Sequence, residues 1–261
     1  MVLSYDAPEN AVSAPVTHLD SRQVRLHNGR KTVICPLCHR TSDDTVVLCE
    51  CGFRFLVSMN ELQGWFSEIR SLLENGYLPA ETPWKQSGKS GSFEDWTRLR
   101  IPISECIETP GTFLDVGCAN GFLLECLLDW TSKKGVQIEP YGLDYSQQLV
   151  DLARERLKGF EDHIFVGNAW DWEPPLRFDY VRTEVCYVPT NLAEAFISRL
   201  LNRFLVEGGK LLVAQYRSRR EDLSGDWIDD YLNGLGFTVK DSKSGFDGNG
   251  LELTRVAMLQ R

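Results

Sequence analysis

Two clusters in the chain have residue types and spacing suited to chemistry. The first is "CPLCHRTSDDTVVLCECG", in which Cys35 and Cys38 form a C-x2-C pair and Cys49 and Cys51 a C-x-C pair. Four thiolates this close in sequence suit a closed, tetrahedral Zn2+ site of the structural kind. The C-x-C half is tighter than a second C-x2-C and strains the chelate unless the loop adapts; His39 offers a substitute ligand. A metal-free hairpin and a redox pair are the competing readings. The redox pair is the weaker, because Cys35-Pro-Leu-Cys38 stands outside any thioredoxin-like strand–helix–strand setting.

The second cluster is "FLDVGCANGFLLE", residues 113–125, where Asp115 closes an apolar strand and Gly117 and Gly121 lead into an apolar helix. A triphosphate loop needs Lys and Ser/Thr after its last glycine, and neither follows Gly121. A dinucleotide loop needs G-x-G-x-x-G, but position 119 is Ala and position 122 is Phe. Close backbone approach to a pyrophosphate is therefore not provided for. What remains, D-x-G-x-x-x-G, suits a ligand that joins an amino acid to a nucleoside without phosphate. The glycines let the chain turn tightly, and Asp115 brings a negative charge near an ammonium. Asp144 in "YGLDYS" ends the next strand, where an acid suits both ribose hydroxyls. In "VGNAWDW", Asn168 and the backbone near Ala169 suit an adenine edge, while Tyr145 suits its face. Each has a plainer reading: strand-end turn chemistry for Asp115 and Gly117, a helix cap for Asp144, a turn residue for Asn168.

Taken in order, "LDVGCANG", "GLDYS", "VGNAWDW" and "FDYVRTEVCYVP" resemble the motifs of class I S-adenosylmethionine-dependent methyltransferases, over about residues 110–261. The resemblance implies an α/β, Rossmann-like, seven-stranded, mainly parallel sheet with S-adenosylmethionine across the carboxyl ends of its central strands. It implies that Asp115, Gly117, Cys118, Ala119 and Gly121 line the methionine and ribose side. Asp144 would bind the ribose, and Tyr145, Asn168 and Ala169 would hold the adenine. Thr183 and Glu184 would sit beside the sulfonium and the incoming acceptor.

Methyl transfer from a sulfonium is an in-line displacement, helped chiefly by proximity and orientation. A base matters only where the nucleophile must lose a proton. "TEVCYVP", residues 183–189, offers Glu184 and Tyr187 for that work, and none of the four histidines is near. The plainer reading of Glu184 is a solvated loop acid. The D/N-P-P-Y/F/W motif of methyltransferases acting on adenine or glutamine amino groups is absent. Cys186 follows Val185, not the proline of the pyrimidine-carbon enzymes, so it reads as a packed thiol. These residues favour a small-molecule acceptor. The cysteine unit resembles zinc-ribbon modules ahead of some bacterial methyltransferase domains, including a group acting on ribosomal RNA guanine, but the histidine that ends that group's finger is not evident. RNA-base methylation with the zinc module docking RNA is thus the alternative, and a non-catalytic S-adenosylmethionine-binding scaffold a further one.

These residues need elements to hold them. Residues 1–30 read as a flexible leader without the basic and apolar regions of a secretory signal. Residues 31–58 form the zinc-ribbon-like module, with strands in "KTVIC", "TVVLC" and "FRFLVS". Residues 59–110 read as a helical lid and linker. Its first helix spans 59–77 with Leu62, Phe66, Ile69, Leu72 and Leu73 on one face. Its second, shorter helix carries Trp96, Leu99 and Ile103 and is distorted or ended by Pro102. Trp84, Trp96 and Arg100 are candidates to touch the acceptor or the methionine carboxylate. Residues 111–261 alternate strands with helices, which predicts right-handed crossovers and a mainly parallel sheet. "NLAEAFISRLLNRFL" reads as a helix stopped by Gly208 and Gly209. "GFTVKDS" and "GLELTRVAML" predict an antiparallel hairpin at the sheet edge.

The 261 residues, 43% hydrophobic and 25% charged, suit an ordinary globular protein. A net charge of −9 weighs against a surface built to grip nucleic acid. No apolar run reaches the ~20 residues that span a bilayer, and a cytoplasmic location is expected. Cys106, Cys118, Cys126 and Cys186 are dispersed among apolar neighbours and read as buried thiols.

Overall fold

The computed structural model describes residues 59–261 apart from 89–90 and 221–222, together with three strands nearer the N-terminus. Those strands, β1 (Val24–His27), β2 (Arg30–Ile34) and β3 (Thr41–Asp43), form an antiparallel sheet in that order. The leader expected to lack structure therefore carries β1, whose Val24 pairs with Val33 and whose His27 pairs with Arg30. The Asn28-Gly29 step between the two strands is a strong hairpin signal in the sequence. Strand β3 falls between the expected strands in "KTVIC" and "TVVLC", where none was expected. Cys35, Cys38, Cys49 and Cys51, with the strands expected in "TVVLC" and "FRFLVS", lie outside the described residues.

The main sheet has seven strands in the order β6-β5-β4-β7-β8-β10-β9. They are β4 (Gly111–Val116), β5 (Ile138–Asp144), β6 (Ile164–Val166), β7 (Phe178–Thr183), β8 (Leu205–Tyr216), β9 (Asp241–Phe246) and β10 (Glu252–Gln260). The first five strands of that order pair in parallel; β10 runs antiparallel to both β8 and β9. The expected α/β sheet with its antiparallel edge hairpin is what the chain forms. Strand β9 begins later than "GFTVKDS" implied. β4 and β7 lack alternating burial because apolar groups cover both faces, as in parallel sheets generally.

Helices α1 (Met59–Tyr77), α2 (Phe93–Glu105), α3 (Phe122–Ser132), α4 (Gln147–Arg156), α5 (Ala193–Arg199) and α6 (Ile228–Gly234) accompany the sheet. Ser146 caps α4, its Oγ accepting from the Leu149 N–H at 3.3 Å. Helix α2 runs through Pro102, which removes the bond to the Arg98 carbonyl, because Trp96, Leu99 and Ile103 are buried on either side of it. The helix expected through Leu205 instead ends α5 at Arg199 and passes through a wide π turn, Leu200–Phe204. Gly208 and Gly209 do not stop it; they lie inside β8. Gly208 adopts φ 77° and the pairing with β7 shifts register there, so the glycines make a bulge. Leu62 and Phe66 of α1 are buried as expected, whereas Leu72 is 49% exposed and leaves the expected apolar face.

Candidate functional site

The carboxyl ends of β4, β5 and β7 open into one cavity. The first loop hooks onto the end of β5: the N–H groups of Gly117 and Cys118 both donate to the Leu143 carbonyl, at 2.7 and 3.1 Å. Gly117 (φ 78°) and Gly121 (φ 72°) take the left-handed conformation, as their type allows. Ala119 also has a positive φ, 47°. The loop thus keeps a glycine-like shape at a position without glycine, at a strain of about 1 kcal/mol. Gly117 faces Tyr187 so closely that a Cβ there would fall 2.6 Å from its ring. At Gly142 of β5 a Cβ would fall 2.8 Å from the Cys118 sulfur.

Of the residues expected to hold a nucleoside, Asp115, Gly117, Cys118, Ala119, Asp144, Tyr145, Asn168 and Ala169 all line this cavity. Asp144 accepts from the Ala119 N–H at 2.8 Å through Oδ2 and from the Ser146 N–H at 2.9 Å through Oδ1. It does cap local backbone, yet each oxygen keeps acceptor capacity toward the cavity. Asn168 accepts from the Trp170 N–H at 3.0 Å, the geometry of an Asx turn. Tyr145 carries the Arg70 guanidinium 4.9 Å above its ring. Gly121 and Thr183 do not line the cavity. Gly121 starts α3, where a Cβ would press on Ala153 at 3.0 Å, and Thr183 is fully buried.

Sequence reasoning missed Arg182. Sheet pairing sets it beside Asp115, and it is 3% exposed. Its Nη1 donates to Asp115 at 3.2 Å and to the Tyr187 hydroxyl at 3.0 Å. Its Nη2 donates to Glu184 Oε1 at 2.5 Å and to the Tyr216 hydroxyl at 3.2 Å. Tyr187 in turn donates to the same Glu184 oxygen at 2.9 Å. Glu184 is therefore no solvated loop acid: it is buried and ion-paired. Among the described residues, the other oxygen of Glu184 receives only the weak Cys186 thiol contact, at 3.6 Å. The signal was present in the sequence as a guanidinium inside an otherwise apolar strand, "FDYVRTEV", one position before the expected pair.

Burial dominates the electrostatics. It raises Asp115 from 3.8 to about 6, against the pull of Arg182. Burial likewise raises Asp144 to about 6, against its backbone N–H partners. It also pushes the Cys118 and Cys186 thiols up, so both stay protonated and poorly nucleophilic near neutrality. Cys106, Cys118 and Cys126 are buried as expected, whereas Cys186 is half-buried and lines the cavity.

Helix α1 roofs the cavity with Phe66, Ile69, Arg70, Leu73 and Tyr77, a spacing that keeps these side chains on one helix face. Ser146 Oγ donates to Glu74 at 2.7 Å and ties the roof to the start of α4. Asn120, fully buried, donates to the Pro83 carbonyl and to Gln86, both at 3.0 Å, and fastens the segment ahead of α2 over the glycine loop. Trp96, though fully buried, lines the cavity, whereas Trp84 does not; both pack in the aromatic cluster around Phe122. Arg100, 5% exposed, does line it.

Residues 113–209 match a family model described as a methyltransferase domain. No curated protein matches the chain in sequence. Among solved structures, 1,6-didemethyltoxoflavin-N1-methyltransferase from Burkholderia thailandensis is 12% identical, with a TM-score of 0.56 over 91% of this chain and 97% of that one. The N-methyltransferase NodS from Bradyrhizobium japonicum WM9 is 16% identical, with a TM-score of 0.51 over 74% of this chain and 97% of that one. Both were solved with S-adenosylhomocysteine. The cyclase SpnF is 15% identical, with a TM-score of 0.52 over 76% of this chain and 94% of that one. At these identities the likeness is one of fold, and a cyclase among them marks that the fold alone does not fix the reaction. No helix among the described residues is long and apolar enough to cross a membrane.

Proposed function

We propose that the protein is an S-adenosylmethionine-dependent methyltransferase acting on a small-molecule acceptor. The observation that carries the proposal is the convergence of eight of the ten expected nucleoside-binding residues on one cavity at the carboxyl ends of adjoining parallel strands. The residues fit the cofactor. Asp144 would hold the ribose hydroxyls with its spare acceptor capacity. Ala169 and Asn168 would meet the adenine edge, Tyr145 its face, and the Gly117 loop the amino-acid end. The cofactor, when bound, supplies a methyl group on a sulfonium. Glu184 and Tyr187 would lie at the acceptor, with Glu184 Oε2 available to accept an N–H or O–H proton while Arg182 and Tyr187 fix the other oxygen.

The roof formed by α1 favours a small acceptor over an RNA base, because a base on a strand would need an open approach to Glu184. The Cys35, Cys38, Cys49 and Cys51 spacing supports a structural zinc ion in the N-terminal module; among the described residues no metal-binding cluster is found. Titration calorimetry with S-adenosylhomocysteine tests the reading. One-to-one binding is expected, with none for NAD; the reverse preference, or no nucleoside binding at millimolar concentration, would sink it.

A further inference from the structure

Glu184 has one oxygen fixed by Arg182 and Tyr187, while the other receives only the Cys186 thiol among the described residues. Other polar side chains of the cavity are paired with protein. Ser87 Oγ accepts from the Trp96 indole at 3.0 Å and donates to the Trp84 carbonyl at 3.2 Å. The Tyr216 hydroxyl accepts from Arg182 at 3.2 Å. Apart from Arg100, a further group stands open. The hydroxyl of Tyr77, the last residue of α1, makes no hydrogen bond among the described residues. Tyr77 lines the cavity together with Glu184, Cys186 and Gly88. A Cβ at Gly88 would fall 2.6 Å from the Tyr77 hydroxyl, so the glycine (φ 86°) leaves that hydroxyl its place. Burial holds the phenol far above its ordinary value; the Glu184 charge adds to this and Arg100 opposes it. Tyr77 therefore keeps a proton to donate, whereas an ionised Glu184 can only accept.

We infer that Tyr77 sets acceptor specificity, and that the acceptor pairs an N–H or O–H with a separate lone-pair atom, as a lactam does. The inference rests on the methyltransferase reading above for the ligand's role, not for the open state of the Tyr77 hydroxyl. Glu184 Oε2 takes the N–H or O–H, and Tyr77 donates to the second atom. That atom differs from the one to be methylated, because a hydrogen bond from Tyr77 to the reacting atom would draw on the lone pair it needs. A simple amine or phenol satisfies Glu184 but leaves the Tyr77 proton without a partner. A site built to hydrogen-bond a group discriminates against ligands that lack it. Tyr187 does not substitute, since its own proton goes to Glu184.

The test is a ligand-observed NMR titration of the full chain, saturated with S-adenosylhomocysteine, and of Tyr77→Phe. The probes are 2-pyridone, which carries both groups, pyrrole, which offers only the N–H, and 1-methyl-2-pyridone, which offers only the carbonyl. Wild type is expected to bind 2-pyridone about fivefold tighter than either of the others, the worth of one hydrogen bond. In Tyr77→Phe the advantage over pyrrole falls below about twofold, while the advantage over 1-methyl-2-pyridone, which reports Glu184, persists. A merely structural role for Tyr77 would erode both advantages alike, and that result overturns the inference. So does an advantage over pyrrole that survives in Tyr77→Phe, or a wild type that shows no such advantage or does not bind 2-pyridone in the millimolar range. Failure of wild type to bind S-adenosylhomocysteine removes the cofactor reading; the same titrations on the ligand-free chain then decide Tyr77 alone. Thermal unfolding checks that the variant folds. Should Tyr77→Phe fail to fold, Gly88→Ala, whose methyl displaces the hydroxyl, carries the test through loss of the same advantage over pyrrole.

Discussion

Arg182 links the two halves of the candidate site. It spans Asp115 at the end of β4 and Glu184 beyond β7 while almost wholly buried. Breaking a buried ion pair from one side leaves uncompensated charge and costs about 3–5 kcal/mol. Arg182→Met is therefore expected to lower the unfolding midpoint sharply, and adding Asp115→Asn and Glu184→Gln to recover part of the loss. No recovery in the triple variant would mean that Arg182 matters for packing and not for charge. Protonation gives a second expectation. Asp115 and Asp144 stand at about 6 in the free protein because both are buried. An ammonium at Asp115 and ribose hydroxyls at Asp144 favour the ionised forms, so binding below pH 6 must expel protons. Affinity for S-adenosylhomocysteine should then fall as pH drops from 7 to 5. Calorimetry at pH 5.5 in buffers of different ionisation enthalpy should report proton release; uptake would contradict this account.

At the scale of elements, the glycine loop is set by three left-handed positions, Gly117, Ala119 and Gly121. Gly117→Ala is expected to destabilise, because φ 78° strains any L side chain by about 1–2 kcal/mol and the new methyl drives into Tyr187. Ala119→Gly, at φ 47°, relieves strain and should leave the midpoint unchanged or higher. A drop for Ala119→Gly comparable with that for Gly117→Ala would contradict the loop geometry. Much of this was legible in the sequence, since the spacing of Asp115, Gly117 and Gly121 requires a strand, a tight turn and a helix. Helix α1 was legible to its ends from apolar spacing. Arg182 was not, because its role depends on β7 lying beside β4, a pairing that no local pattern states. The bulge at Gly208 was misread for the same reason: a glycine pair ends a helix or kinks a strand depending on what precedes it. Leu72 shows the limit of periodicity, since a helix that only roofs a cavity buries a narrower stripe than a core helix.

At the scale of the molecule, a seven-stranded sheet presents its carboxyl ends to a cavity that α1 and α2 close from above. The arrangement would hold the proposed cofactor and a small acceptor out of bulk water, with the buried carboxylates of Asp115, Asp144 and Glu184 around them. The N-terminal module carries an independent expectation. A fully reduced preparation of the whole chain should hold one equivalent of zinc by elemental analysis, lost on Cys35→Ser or Cys49→Ser. Zinc well below one equivalent would remove the metal from the account without touching the cavity.

The central claim is that this cavity binds a nucleoside joined to an amino acid. The most direct measurement is a crystal structure of the full chain with S-adenosylhomocysteine. The account predicts the ribose on Asp144, the adenine beside Asn168 and Ala169, and the amino-acid end over Gly117 beneath α1. A ligand lying elsewhere, or a cavity that stays free of it at saturating concentration, would contradict it.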